Sequence, residues 1–202
     1  MDKTTNQKII RERIMSSAVG TVFVATDFVD IADKTSVNTY LTRFEEEGII
    51  RRVLRGVYEK PEYNEFLDEH VAASPDKIAH ALARNYGWTI VPCGDTALNL
   101  LGLSTQIPAA WVYVSDGTYK EYDYEQITIK FKRTTNKEIS KLSYKTALVV
   151  QALKALGKEN VDDTVIAKLK STLTKEEKEA MFIEAKAVTS WIYEYIKTIC
   201  RG

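Results

Sequence analysis

The segment from residue 35 to residue 60 constrains the fold of this chain most strongly. Its apolar side chains follow the i, i+3, i+4, i+7 spacing of one helix face: Val37, Tyr40, Leu41 and Phe44. Thr35 is a candidate N-cap for this helix, and Gly48 supplies its stop. Two β-prone runs, 49–54 and 57–60, flank Arg55-Gly56 and predict a hairpin directly after the helix.

The residues before this helix complete a small module. Ile9, Ile10 and Ile14 predict a first amphipathic helix, residues 21–25 a short β-like connection, and Thr26 the N-cap of a brief helix through Ala32. Three helices, the last two separated by a tight turn, followed by an arginine-bearing hairpin, form the winged helix-turn-helix plan. We therefore predict a winged helix-turn-helix DNA-binding domain over residues 1–62, with a boundary in the polar stretch EKPEYNE at 59–65.

Residues 63–202 predict a larger C-terminal domain that combines a small β-sheet with a helical bundle, so the expected fold class is α+β. Ser74-Pro75-Asp76 opens a helix that ends at Gly87. Strands are expected near 88–91, 110–115, 118–122 and 126–132, and Asp116-Gly117 is predicted to join the second and third of these as a hairpin. After Ser143 the pattern is helical, and Thr174 with Glu177 predicts a capping box that opens a helix to about Cys200.

Composition narrows the range of functions. Lys plus Arg equals Asp plus Glu at 28 each, so nucleic-acid binding would have to come from a local patch. The charged N-terminus and the lack of an apolar run of about 20 residues predict a cytoplasmic protein that does not associate with a membrane. The cysteines, Cys93 and Cys200, are far apart and no histidine lies near them, so we expect no zinc, no disulfide framework and no cofactor.

Candidate DNA contacts lie on the polar side of the 35–47 helix and on the hairpin. Thr35 opens the helix, and short polar or basic side chains face away from its apolar stripe: Ser36, Asn38, Thr39, Thr42 and Arg43. The hairpin adds Arg51, Arg52 and Arg55, which can reach phosphate oxygens or a narrow minor groove. The alternative is an ordinary solvated surface or a protein-binding module, because the acidic run at 45–47 would repel DNA.

Other residues invite catalytic interpretations that the spacing does not favour. Gly94-Asp95-Thr96 lacks the lysine of a phosphate-binding loop, and Asp95 is expected to cap a short helix through Leu101. Asp116, Glu125 and Lys130 resemble a nuclease set, but Glu125 and Lys130 should point to opposite faces of a strand. A serine hydrolase would need His70 or His80 as its base, and both are expected at helix surfaces. We therefore expect no enzymatic activity.

An aromatic group surrounds the predicted 110–122 hairpin: Trp111, Tyr113, Tyr119, Tyr122 and Tyr124. Aromatic side chains are enriched at protein interfaces, but they also pack the faces of sheets. The sequence leaves both interpretations open.

Three stretches resemble the AbiEi-type antitoxins of bacterial type IV toxin-antitoxin systems: FEEEGIIRRVLRGVY at 44–58, PCGDTALNLLGLSTQIP at 92–108 and ALKALG at 152–157. The resemblance implies an N-terminal winged helix that represses its own operon by binding promoter DNA. It also implies a C-terminal domain that counteracts a nucleotidyltransferase toxin. In that family, toxin and antitoxin do not usually form a stable complex. The implied DNA contacts are the helix and hairpin residues named above.

The charge of residues 1–60 departs from what DNA binding would favour, and two other functions remain as alternatives to the antitoxin. Residues 1–60 contain ten Lys or Arg against nine Asp or Glu, which predicts weak non-specific DNA affinity unless a second molecule binds alongside. A plain winged-helix transcriptional regulator, with a ligand-binding or dimerising C-terminal domain, fits the same pattern. A nucleic-acid enzyme that uses the winged helix for targeting would need a convergent metal site.

Overall fold

The computed structural model describes residues 3–66, 68–134, 139 and 141–201. They form an α+β protein, as predicted, which divides into two compact units, Met1–Trp88 and Thr89–Gly202. Within the described residues, no helix is both long and apolar enough to cross a membrane.

The first unit contains three helices and short strands within its described residues. Its elements are α1 (Lys3–Ser16), β1 (Val22–Val24), a 3-10 helix (Ala25–Phe28), α2 (Lys34–Glu46), β2 (Arg51–Leu54), β3 (Val57–Glu59), β4 (Tyr63–Asn64), β5 (Glu69–His70) and α3 (Pro75–Tyr86). Strands β1, β3 and β2 form an antiparallel sheet in that order, so β3 lies in the middle. The hairpin predicted around Arg55-Gly56 is therefore confirmed.

The predicted apolar stripe of α2 is confirmed. Its four members are at most 4% exposed: Val37, Tyr40, Leu41 and Phe44. They pack on buried residues of α1, Ile10 and Ile14, and on Phe28 of the 3-10 helix. Each large side chain buried in this way contributes about 1.5–3 kcal/mol. The helix ends as predicted, because Gly48 adopts the left-handed φ of +73° that follows a helix C-terminus.

Two predicted helix starts in this unit are wrong. The brief helix expected from Thr26 to Ala32 is a single 3-10 turn that contains Thr26, and the Asp27 carboxylate accepts from the Val24 backbone N–H at 2.9 Å. The N-cap of α2 is Asp33, not Thr35, because its carboxylate accepts from the N–H groups of Thr35 and Ser36. In both cases an aspartate carboxylate close to the turn binds the free backbone donors.

The first unit extends to Trp88, beyond the boundary expected near residue 62. Helix α3 belongs to this unit because its cations bind the chain around β1. Lys77 Nζ donates to the carbonyl of Gly20 at 2.8 Å, and Arg84 Nη2 donates to that of Val22 at 3.0 Å. Arg84 Nε also donates to Asp27 at 2.8 Å. These partners are 57 to 62 residues apart, so no local sequence pattern predicts their hydrogen bonds.

The second unit begins with a four-stranded sheet. Its elements are β6 (Ile90–Pro92), α4 (Asp95–Leu100), β7 (Trp111–Ser115), β8 (Lys120–Tyr124), β9 (Ile127–Arg133), α5 (Tyr144–Leu156), α6 (Asp163–Thr172), α7 (Lys175–Glu184) and α8 (Ser190–Cys200). The strand order is β6-β7-β9-β8, with β7 and β9 parallel. Ile129 and Phe131 are fully buried, as the alternation of β9 predicted.

The hairpin predicted at Asp116-Gly117 is wrong. Strand β9 inserts between β7 and β8, and the antiparallel turn joins β8 to β9 at Glu125, whose φ is +53°. Asp116 instead accepts a hydrogen bond from the Thr89 N–H at 2.9 Å. A turn dipeptide signals a change of direction but does not determine which strand pairs next.

The helical end of the unit differs from prediction at two points. The capping box of Thr174 and Glu177 is confirmed, but the helix that it opens ends at Glu184 and a separate α8 runs to Cys200. The break allows both Met181 and Ile192 to be fully buried in one core. Asp95 is the first residue of α4 and follows an N-cap at Gly94, so it does not cap that helix.

Candidate nucleic-acid interface

The polar face predicted on α2 is presented to solvent. Thr35, Asn38, Thr39 and Arg43 are exposed, whereas Ser36 and Thr42 are half-buried. The hydroxyls of Thr39 and Thr42 donate to the carbonyls of Thr35 and Asn38, four residues earlier, at 3.1 and 3.0 Å. These bonds orient the hydroxyls and leave their oxygens able to accept.

Ser36 is engaged differently from its neighbours on this helix. Its hydroxyl donates to the Asp33 carboxylate at 2.7 Å, and the bonds from Ser36 hold the pKa of that carboxyl below its ordinary value. Ser36 therefore helps to form the helix cap and is less free than Asn38 or Thr39 to contact a ligand.

A groove of about 430 Å³ lies between α2, the β2–β3 turn and the C-terminal end of α3. We call it the α2 groove, and the polar side chains that line it include Lys34, Asn38, Thr42, Arg52, Arg55 and Asn85. It places three cations and two side-chain amides around one space. This combination suits a polyanion whose bases or sugars carry donors and acceptors.

The three hairpin arginines have different roles. Arg51 donates from Nε to Oε2 of Glu59 at 2.7 Å and from Nη2 to the carbonyl of Val71. Glu59 is buried, and only a quarter of the Arg51 side chain is exposed. Arg51 is therefore held by internal partners and is less exposed than Arg52 or Arg55, so its predicted DNA contact stays a prediction.

Arg52 faces the groove but is paired. Its Nε and Nη2 donate to Oε2 of Glu45 at 3.0 and 2.6 Å, and its guanidinium lies 5.3 Å from the centre of the Tyr58 ring. The hydrogen bond to Glu45 raises the pKa of Arg52. The side chain stays 41% exposed, so its remaining donors can reach a ligand.

Arg55 and Lys34 are the available cations of the groove. Both are exposed, and neither has an acidic partner within the part of the chain that the structure describes. Arg55 lies in the β2–β3 turn beside Gly56, whose φ of +75° requires glycine. Sequence reasoning missed Lys34, although it precedes Asn38 and Thr42 at i+4 and i+8 on one helix face.

Arg43 lies on the other side of α2, towards α1. It lines a smaller depression of about 220 Å³ with Gln7 and Thr39, and its Nη1 is 3.4 Å from Oε1 of Gln7. The exposed face of α2 is thus bordered by cations on both sides.

The acidic run at the end of α2 is largely neutralised. Glu45 is paired with Arg52, and Glu47 with Arg11 of α1, while Glu46 is exposed. Two of the three carboxylates that would oppose DNA therefore have a guanidinium partner.

The other sequence candidates are not brought together. Asp116 follows β7 opposite the end of β9, whereas Glu125 precedes the start of β9, so they are separated by the length of that strand, about 20 Å. Lys130 pairs with Glu121 at 3.0 Å. In the described ranges, no group of three His, Cys, Asp or Glu side chains could hold a metal.

The two histidines also lie apart from any such site. His70 is in β5, not in a helix as expected, and packs edge-on against Tyr63 with ring centres 5.2 Å apart. His80 is on α3, as predicted, with Nε2 3.7 Å from the Asp76 carboxylate.

A comparison with protein-family models matches most of the chain. Residues 9–181 match the model of a family described as a family of unknown function (DUF6088). The search of curated proteins finds no match.

Proposed function

The chain belongs to DUF6088, a family of unknown function, and we propose that it is an antitoxin-type transcriptional repressor that binds DNA through its first unit. In this proposal, α2 enters the major groove and the β2–β3 turn contacts the backbone. The second unit counteracts a nucleotidyltransferase toxin.

The order of elements supports a winged helix. Helix α1, β1, a 3-10 helix and α2 are followed by the β2–β3 hairpin, and β1 pairs with β3. In a winged helix the third helical element reads the major groove, which is about 12 Å wide. The 13 residues of α2 span about 20 Å, enough to contact several base pairs.

One observation carries the DNA-binding proposal: Lys34 and Arg55 are unpaired cations, within the described residues, beside an exposed polar helix face. Lys34 and Arg55 would contact phosphates, and Asn38 has the amide that pairs with the adenine edge. The neutralised carboxylates of Glu45 and Glu47 remove most of the repulsion that the sequence predicted.

Fluorescence anisotropy with labelled duplex DNA from upstream of the chain's own gene tests this proposal. We expect binding that weakens steeply as salt rises from 50 to about 200 mM, because phosphate neutralisation releases counterions. A scrambled duplex of equal length is the control. Absence of salt-dependent binding at micromolar protein would contradict the proposal.

The antitoxin role rests on the resemblance of residues 44–58, 92–108 and 152–157 to AbiEi-type antitoxins. Co-expression with a nucleotidyltransferase encoded beside this gene tests it through growth. We expect rescue by the unmodified chain and also by a Lys34→Ala/Arg55→Ala variant, because the two activities belong to different units. Failure of both folded proteins to rescue growth would contradict the antitoxin role.

A plain transcriptional regulator is the second candidate. A cavity in the second unit, between α7 and the end of α8, favours it because ligand-responsive regulators need such a space. Salt-dependent DNA binding without rescue of growth would favour this candidate over the antitoxin.

A further inference from the structure

A cavity of about 780 Å³ opens along one face of α7 in the second unit. Its α7 residues follow the i, i+3, i+4, i+7, i+8 spacing: Lys175, Lys178, Glu179, Phe182 and Ile183. Cys200 and Arg201, at the end of α8, complete the lining. This face differs from the side of α7 that carries the fully buried Met181.

The floor of the cavity is apolar. Ile183 is 66% exposed although it lies in a helix with its own buried core side, and Phe182 packs near Tyr193 with ring centres 6.3 Å apart. Burial raises the pKa of the Cys200 thiol, against a smaller lowering by Lys178, so the thiol is neutral at physiological pH. Phe182 and Ile183 therefore form an apolar patch on this face of α7, in which Phe182 is half-buried and Ile183 is exposed.

The rim of the cavity is cationic. Lys175 lies 4.0 Å from Glu179, so these two charges largely cancel. Lys178 and Arg201 have no acidic side-chain partner in the described ranges. The Arg201 carbonyl accepts from Lys170 Nζ at 3.0 Å, which ties the backbone of this residue to α6. Two uncompensated positive charges thus border the apolar floor.

We propose that this cavity binds a small amphipathic organic anion, with its aromatic or alkyl body against Phe182 and Ile183 and its acidic group at Lys178 and Arg201. The volume lies within the range of about 300–1,000 Å³ typical of small-molecule sites. The rim selects for negative charge, and the floor selects for an apolar body. This site does not depend on DNA binding by the first unit.

Two fluorescent probes test the proposal on the full chain. The probe 8-anilinonaphthalene-1-sulfonate has an aromatic body and one negative charge, and N-phenyl-1-naphthylamine has the same body without the charge. We expect saturable 1:1 binding of the sulfonate that weakens with added salt, and binding of the neutral probe that is weaker by about tenfold, which equals 1.4 kcal/mol.

Variants of residues that line the cavity locate the site. Lys178→Glu and Arg201→Glu should each weaken sulfonate binding by about tenfold or more, because a repulsive charge replaces an attractive one. Ile183→Asp should weaken the binding of both probes. Lys186→Glu, a matched charge reversal at an exposed position outside the lining, should bind like the unmodified chain. Circular dichroism establishes that each variant is folded, and Lys178→Gln provides a milder substitution at the same position.

Three results would overturn the proposal. Equal affinity for the two probes would remove the anion preference, and unchanged binding by folded Lys178→Glu and Arg201→Glu would place the probe elsewhere. A concentration-dependent dimer in sedimentation that Ile183→Asp converts to monomer would assign this surface to a second copy of the chain.

Discussion

The Arg51 guanidinium donates from Nε to Oε2 of Glu59 over 2.7 Å, and Glu59 is 2% exposed on the middle strand of the three-stranded sheet. Because Arg51 also binds the Val71 carbonyl, it connects the hairpin to the segment that enters α3. Arg51 thus stabilises the first unit from within, although its sequence neighbours Arg52 and Arg55 face the α2 groove.

We predict that Arg51→Met lowers the free energy of unfolding by about 2–3 kcal/mol, because it leaves the Glu59 carboxylate buried without its partner. The double variant Arg51→Met/Glu59→Met should recover most of this loss, since an apolar pair of similar volume carries no desolvation cost. Urea unfolding followed by circular dichroism measures both. A single variant as stable as the unmodified chain would show that the pair contributes little.

Lys34→Ala and Arg55→Ala should each weaken DNA binding and reduce the slope of log K against log salt by about 0.9, the contribution of one phosphate contact. Arg51→Met should leave that slope unchanged. Lys158→Ala, which removes an exposed cation of the second unit, is the matched control. Anisotropy at four or more salt concentrations gives the slopes. Slopes equal to that of the unmodified chain would exclude both residues from the interface.

Glu45→Gln should strengthen DNA binding by a few-fold at low salt, because it removes a negative charge and releases the Arg52 guanidinium from its ion pair. Glu176→Gln, an equivalent change on an exposed residue of the second unit, should have no effect. The same anisotropy titration measures both. Weaker binding by a folded Glu45→Gln protein would mean that the pair positions Arg52 for contact.

The division of the chain after Trp88 leads to a prediction about fragments. Residues 1–88 should unfold cooperatively and bind DNA, whereas residues 1–62 should not fold stably, because they lack α3 and the bonds from Lys77 and Arg84 to the β1 region. Thermal unfolding by circular dichroism measures this difference. A cooperative transition for 1–62 equal to that of 1–88 would contradict the role of α3.

The Glu184 carboxyl leads to a prediction about pH. Burial raises its pKa, but hydrogen bonds from Thr146 and Ser143 outweigh burial and hold the pKa below the ordinary value of 4.5. Because the pKa is lower in the folded state, the ionised carboxylate stabilises the fold at pH values above the ordinary pKa. This stability is lost as the pH falls through the lowered pKa. We therefore expect Glu184→Gln to lower the melting temperature at pH 7.

Below the lowered pKa of Glu184 the difference between the two proteins should shrink, because the carboxyl is then protonated and neutral in the unmodified chain as well. Melting curves at pH 7 and at decreasing pH below 4.5 check this trend. A difference in melting temperature that stayed constant across this pH range would show that ionisation of Glu184 contributes no stability.

Much of the local structure was predictable because its determinants lie close together in the chain. The stripe of α2, its stop at Gly48, the hairpin at Arg55-Gly56 and the Thr174–Glu177 capping box each depend on residues within about two helical turns. Errors arose where two neighbours compete for the same role. Asp33 replaced Thr35 as the cap of α2 because its carboxylate reaches two backbone donors.

The sequence by itself determined the α+β class, the helix faces and the polar surface of α2, since periodicity and capping are local properties. Only the tertiary structure decided that β9 inserts between β7 and β8, that α3 packs on the first unit, and that Arg51 is bound internally while Arg55 is available. Strand order and ion pairing depend on contacts between residues that are distant in the chain. Arg51 and Arg55, only four positions apart, therefore take on different roles.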